Sequence, residues 1–151
     1  MSEVYPTPPE VLDALQVALN AFLSLSNRTQ EAHWNVKGPS FNPLHELFGA
    51  FYDFLIEGGH LIAERIVQLN GQAVAAPSGG PLFGDEQTLI QALVDMSLEL
   101  SAELKAGMVL FNEELKDEVT GDICIELGRE LEKWIWKIQS HIQQIVQVAQ
   151  G

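Results

Sequence analysis

EAHWNVKGPSFNPLHELFGAFYDFLIEGGHLIAERIVQLNG, residues 31–71, holds three of the four histidines of this 151-residue chain. The stretch reads as two helices joined by a tight turn at Gly38-Pro39, where Gly ends one helix and Pro cannot continue it. Asn42-Pro43 is a cap followed by a first-turn proline. Leu44, Leu47, Phe48, Phe51, Leu55 and Ile62 then recur at helical spacing up to a stop at Asn70-Gly71. In an antiparallel hairpin His33 and His45, a few residues either side of the turn, come level and can share one site. His60 and Glu64 are spaced i, i+4 and face the same way. Imidazole and carboxylate groups gathered like this suit a transition metal.

The spacing also limits what one chain can do. His45 and His60 lie fifteen residues apart, roughly 22 Å along a helix that rises ~1.5 Å per residue. One metal cannot touch both within a subunit. Two copies of the second helix packed antiparallel about a two-fold axis bring His45 of one near His60 and Glu64 of the other, giving two equivalent sites in a C2 dimer. His141 has no apparent partner.

Outward from this hairpin the chain reads as all-α, with four helices in a single domain over residues 1–151, a tail over 1–7 and a bundle over 8–149. Pro8-Pro9-Glu10 opens the first helix, and Leu12, Leu15, Leu19, Phe22 and Leu23 carry it to about Lys37. Residues 72–84, QAVAAPSGGPLFG, form the longest connection, long enough for helices two and three to run in the same direction. Asp85 caps the third helix, which is expected to reach about Glu114. Thr120 is expected to cap the fourth, whose apolar face includes Leu131, Trp134, Ile138, Ile142 and Ile145. Gly49, Gly58 and Gly59 sit inside the second helix, where each costs roughly 1 kcal/mol relative to Ala. A close helix contact or a distortion near a ligand would each explain them.

Composition narrows the function. The formal net charge is −13, from eight basic and 21 acidic residues, and the first basic residue is Arg28. Such a chain repels nucleic acid and anionic membrane and attracts cations. No apolar run approaches the ~18 residues of a membrane span, and the first residues lack the pattern of a signal peptide. The single cysteine, Cys124, suits a reducing cytoplasm and reads as a small buried apolar residue.

Three motifs add a resemblance. His33-Trp34-Asn35-Val36-Lys37-Gly38, Leu44-His45-Glu46-Leu47-Phe48-Gly49 and His60-Leu61-Ile62-Ala63-Glu64-Arg65 closely resemble the successive signatures of Dps-family miniferritins, with the same gaps between them. Residues 116–122 and 132–136 fit the family's fourth helix. The resemblance implies a ferritin-like four-helix bundle with its long crossover between helices two and three. It also implies a hollow dodecamer built from C2 dimers, with ferroxidase sites shared between subunits. Such cages oxidise Fe(II) with peroxide or oxygen, store Fe(III) mineral and protect against oxidative stress. His33, His45, His60 and Glu64 map onto the catalytic, metal-binding positions, and Trp34 onto a tryptophan beside the site; plain packing between helices would equally explain it.

Two departures stand out. The family's aspartate four residues after the second histidine is Gly49 here, and the one four residues before the glutamate is His60. Three imidazoles and one carboxylate shift the preference from iron toward softer divalent ions such as Zn(II). Water, Asp53 or Glu46 are the candidates to fill the place of the missing carboxylate. The junction residues Glu113, Glu114, Asp117, Glu118 and Asp122 read on their own as a solvated helix end. By the resemblance, Glu113, Glu118 and Asp122 match acids of the three-fold pores that admit iron. The leading expectation is therefore a cytoplasmic Dps-type ferroxidase and iron store. The alternatives are a zinc-preferring metal-binding cage with weak ferroxidase activity and, against the charge, a DNA-coating nucleoid protein.

Overall fold

The computed structural model describes residues 7–150, with side chains as far as 142; the rest of the expected N-terminal tail and the side chain of Ile145 lie outside the described residues. Four helices make up the fold: α1 (Pro9–Asn35), α2 (Phe41–Gln68), α3 (Glu86–Val109) and α4 (Glu118–Gln150). Among the described residues no helix is long and apolar enough to cross a membrane. Each helix buries one stripe: Leu15, Leu19 and Phe22 from α1, Phe48, Phe51 and Leu55 from α2, Leu89 and Leu93 from α3, Leu131 and Ile138 from α4. These stripes face one another in a single core, as period-3.6 patterning requires.

The directions follow from two contacts at opposite ends. Glu86, in the first turn of α3, accepts a 2.9 Å hydrogen bond from the backbone N–H of Ser40, at the start of α2. Arg65, near the end of α2, meets Asp117 and Thr120 at the start of α4. Helices α2 and α3 therefore run the same way, and α1 and α4 run against them, as a long crossover allows.

The crossover is pinned by a ladder. Gln16 exchanges two hydrogen bonds with the backbone of Val74, Asn20 accepts from Ala76 N–H at 2.7 Å, and Ser24 accepts from Ser78 N–H at 2.8 Å. Four residues of helix advance ~6 Å and two residues of extended chain ~6.6 Å, so an i, i+4, i+8 polar stripe matches every second amide of an extended segment. This is how a Gly- and Pro-rich connection satisfies its backbone groups without forming secondary structure.

The helix ends depart from expectation in four places. α1 stops at Asn35 rather than near Lys37, because Val36 is already extended and Gly38 adopts φ +133°, a conformation open to Gly. α2 begins at Phe41 with Ser40, not Asn42, at the cap position; Leu44 N–H already bonds Ser40 O, and Pro43 falls in the first turn, where no N–H is needed. α3 does not remain α-helical to Glu114: after Val109 it widens into a π-turn over Leu110–Glu114 that carries Phe111 into the core. α4 is capped by Asp117, whose Oδ1 accepts from Thr120 N–H at 3.1 Å, so Thr120 lies inside the first turn. The Asp85 cap on Thr88 N–H forms as expected and holds the Asp85 carboxyl below its ordinary range. α2 ends with Asn70 at φ 64° and Gly71 N–H on Ile66 O, a Schellman closure in which Asn takes the left-handed place.

Candidate metal centre

The α1–α2 hairpin brings His33 and His45 together as the spacing requires. Their rings stack with centroids 4.0 Å apart and 12° between planes. His33 Nδ1 lies 2.6 Å from the carbonyl oxygen of His45, and His45 Nδ1 lies 2.7 Å from the carbonyl oxygen of His33. A carbonyl oxygen only accepts, so both Nδ1 atoms carry hydrogen and donate. In each neutral ring the lone pair is then left on Nε2. That is the second-layer arrangement by which proteins orient an imidazole for a metal. Phe41 stacks on the outer face of His45, with centroids 5.0 Å apart.

Gly49 leaves no vacancy beside this pair. One turn past His45, it approaches the His33 ring so closely that a methyl group there would lie 2.9 Å from Cε1 and 3.1 Å from Nδ1. Asp53 and Glu46, the other candidates for that space, are exposed. Gly58 plays a similar part deeper in the bundle, where a methyl group would lie 2.6 Å from Phe22 Cε1. At these two positions the glycines are explained by close ring contacts. Gly59 differs: a methyl group there would make only ordinary contacts, the nearest at 3.7 Å to Leu23.

His60 and Glu64 are both exposed on α2, far along the helix from the histidine pair. His60 edges a groove of about 240 Å³ lined by Leu19, Leu23, Ile56, Gly59 and the crossover residues Ala73 and Ala75. Among the described residues, no three His, Cys, Asp or Glu side chains of one chain gather closely enough to hold a metal. His141 is half-buried on α4 and joins none of these groups. Trp34 is 66% exposed, so it does not pack between the helices of its own chain.

The acidic junction divides in two. Glu113, Glu114, Glu118 and Asp122 are exposed, whereas Asp117 is buried. Asp117 Oδ2 accepts from the Thr120 hydroxyl at 2.6 Å, Arg65 Nε donates to Thr120 Oγ1 at 3.0 Å, and Arg65 Nη2 lies 3.4 Å from Asp117 Oδ1. Asp117 is therefore the anchor that joins α2 to α4. The sequence signal for it is Arg65, a cation on the apolar stripe of α2 that needs a buried acid elsewhere. Cys124 is buried as expected, and burial pushes its thiol up to about 11.

Comparison with known proteins agrees with this architecture. The model of the ferritin-like domain matches residues 12–148. The DNA protection during starvation protein of Agrobacterium fabrum is 33% identical over 144 residues, covering 89% of this chain and 88% of its own. General stress protein 20U of Bacillus subtilis is 32% identical over 119 residues, covering 73% and 81%. Among solved structures, the Dps of Microbacterium arborescens in its high-iron form superposes with a TM-score of 0.79 at 25% identity, over 93% of this chain and 99% of that one. With its helix order, its long crossover and these matches, the chain belongs to the ferritin-like proteins and, within them, to the Dps-family miniferritins.

Proposed function

We propose that the chain is the subunit of an iron-storing cage that oxidises Fe(II) at sites shared between two subunits. The observation that carries this reading is the locked pair of His33 and His45, with a lone pair left on each Nε2. The other half is His60 and Glu64 of the partner subunit, brought alongside when two α2 helices pack antiparallel about a two-fold axis. Together they offer three imidazole nitrogens and one carboxylate. Fe(II) is the substrate. Peroxide or oxygen takes its electrons, and the Fe(III) formed is stored as mineral inside a cage of twelve subunits. Removing Fe(II) and peroxide together limits hydroxyl-radical damage, which fits the stress and starvation names of the relatives.

The charge of −13 supports cation uptake. Glu113, Glu118 and Asp122 are exposed and serve, in this reading, as the acids of the three-fold pores. The same charge opposes coating of DNA, so protection of DNA runs through iron chemistry. The cage works in the cytoplasm.

A second reading is a zinc-preferring cage with weak ferroxidase activity. The donor set favours it, because Gly49 supplies no carboxylate and three of the four ligands are imidazoles. Fe(II) oxidation by metal-stripped protein, under air and with peroxide, tests both. Oxidation well above the protein-free rate, lost in His60→Ala and suppressed by Zn(II), is the expected result. No oxidation above the protein-free rate would reject the ferroxidase and leave the zinc cage.

A further inference from the structure

We propose that Arg28 and Gly80 form a phosphate-binding site on the crossover, at the rung where the side-chain ladder from α1 runs out of acceptors.

The first three rungs each pair an acceptor on α1 with an amide of the extended segment. Gln16 Oε1 takes Val74 N–H, Asn20 Oδ1 takes Ala76 N–H and Ser24 Oγ takes Ser78 N–H. Four more residues along α1 and two more along the crossover lead to Arg28 and Gly80. The crossover still lies on α1 there, since a methyl group at Gly79 would stand 3.2 Å from Arg28 Nη1. A guanidinium, however, has five N–H donors and no acceptor. This rung cannot close as the others do, because donor meets donor.

Arg28 Nε is paired with Glu31. Arg28 Nη1 is buried and has no hydrogen-bond partner among the described residues. The Gly80 N–H likewise meets no acceptor among them. A buried donor without an acceptor is costly, and more so on a cation. An anion that brings its own acceptors removes that cost. The chain leaves room for one: no atom lies within 4 Å of the point where a Gly80 side chain would begin. Gly79, at φ +95°, meets Nη1 with backbone alone.

Phosphate fits these groups better than chloride or a carboxylate. Its tetrahedral oxygens can accept from a guanidinium and a backbone N–H at once. At neutral pH it also keeps a proton that it can donate to the Glu31 carboxylate beside Arg28. Free inorganic phosphate and the phosphate of a mononucleotide present the same group.

The test uses the full-length, metal-free protein, dialysed to equilibrium against labelled inorganic phosphate and, separately, labelled AMP, at low ionic strength in chloride. Uptake of one phosphate group per subunit is expected at saturation, with slower hydrogen exchange at Gly80. Arg28→Gln is expected to weaken uptake about ten- to a hundredfold. Its amide oxygen can accept from Gly80 N–H, as that of Gln16 does from Val74, so the variant should fold and Gly80 exchange should slow without phosphate. Gln16→Ala opens the first rung of the same ladder and should leave uptake unchanged, which separates binding by Arg28 from loosening of the crossover. Uptake of either ligand with this pattern upholds the site, and the tighter of the two names its source. No uptake of either by the parent, equal uptake by Arg28→Gln, or an equal loss in Gln16→Ala would overturn the proposal.

Discussion

His33 and His45 hold each other: each ring donates from Nδ1 to the other residue's backbone carbonyl, across a stack of 4.0 Å. Removing either ring therefore loosens the one that remains. His45→Ala is expected to weaken Zn(II) binding by more than loss of one ligand, because His33 also loses its stacking and hydrogen-bonding partner. The double variant His33→Ala/His45→Ala should bind little worse than either single one. Isothermal titration on metal-stripped protein measures this. Additive losses would show the two rings to be independent.

Arg65, Asp117 and Thr120 form a buried network between the end of α2 and the start of α4. Asp117→Ala removes the carboxylate that faces Arg65 in the core and uncaps α4. Breaking a buried pair from one side costs about 3–5 kcal/mol, and losing a cap about 1 kcal/mol. A large drop in the guanidinium chloride midpoint is expected, with Thr120→Val intermediate. A midpoint within experimental error of the parent would contradict the network's role.

Adjacent glycines in α2 should respond in opposite senses. Gly58→Ala drives a methyl group against Phe22 and, at 3.3 Å, Leu127, an overpacking that costs roughly 1–3 kcal/mol. Gly59→Ala meets only ordinary contacts and gains up to about 1 kcal/mol of helix propensity. Denaturation of the two variants in parallel checks the sign of each.

Partial burial between α1 and α3, with repulsion from Glu99 added, raises the Glu103 carboxyl above its usual value of 4.5. A raised folded pKa gives stability that is present below the unfolded value and lost as pH rises through the folded one. Glu103→Gln should therefore be slightly more stable than the parent near about pH 7 and equal to it well below pH 4.5. The side chain is largely exposed, so the gain is small. Lower stability of the variant at neutral pH would contradict the assignment.

Much of this architecture was legible in the sequence. Apolar spacing and Gly-Pro punctuation located the four helices. The fifteen-residue spacing from His45 to His60 already implied that no single helix could bring both to one metal. Contacts between distant segments were not legible. Asp117 looked like one acid among five, and only the approach of Arg65 from α2 separates it from its solvated neighbours. The close approach of the His33 ring to Gly49 joins two helices and carries no mark in the sequence of either. The polar stripe of Gln16, Asn20 and Ser24 on α1 had the spacing of an exposed face, because its partner is an extended segment without a pattern of its own. Helix ends were off by a few residues for separate local reasons: Val36 leaves the helix early, Ser40 rather than Asn42 begins α2, a π-turn ends α3, and Asp117 rather than Thr120 caps α4.

On the proposed function, the metal centre takes His33 and His45 from one subunit and His60 and Glu64 from another. Subunit mixing separates this arrangement from any site held by one chain. One chain carries His33→Ala/His45→Ala, the other His60→Ala/Glu64→Ala, and the two are co-assembled before Fe(II) oxidation is measured. Each variant alone has no intact site. Random pairing about the two-fold axis restores about a quarter of the sites, so about a quarter of the parent rate is expected to return. A mixture no more active than the separate variants, when the parent is active, would contradict a site shared between subunits.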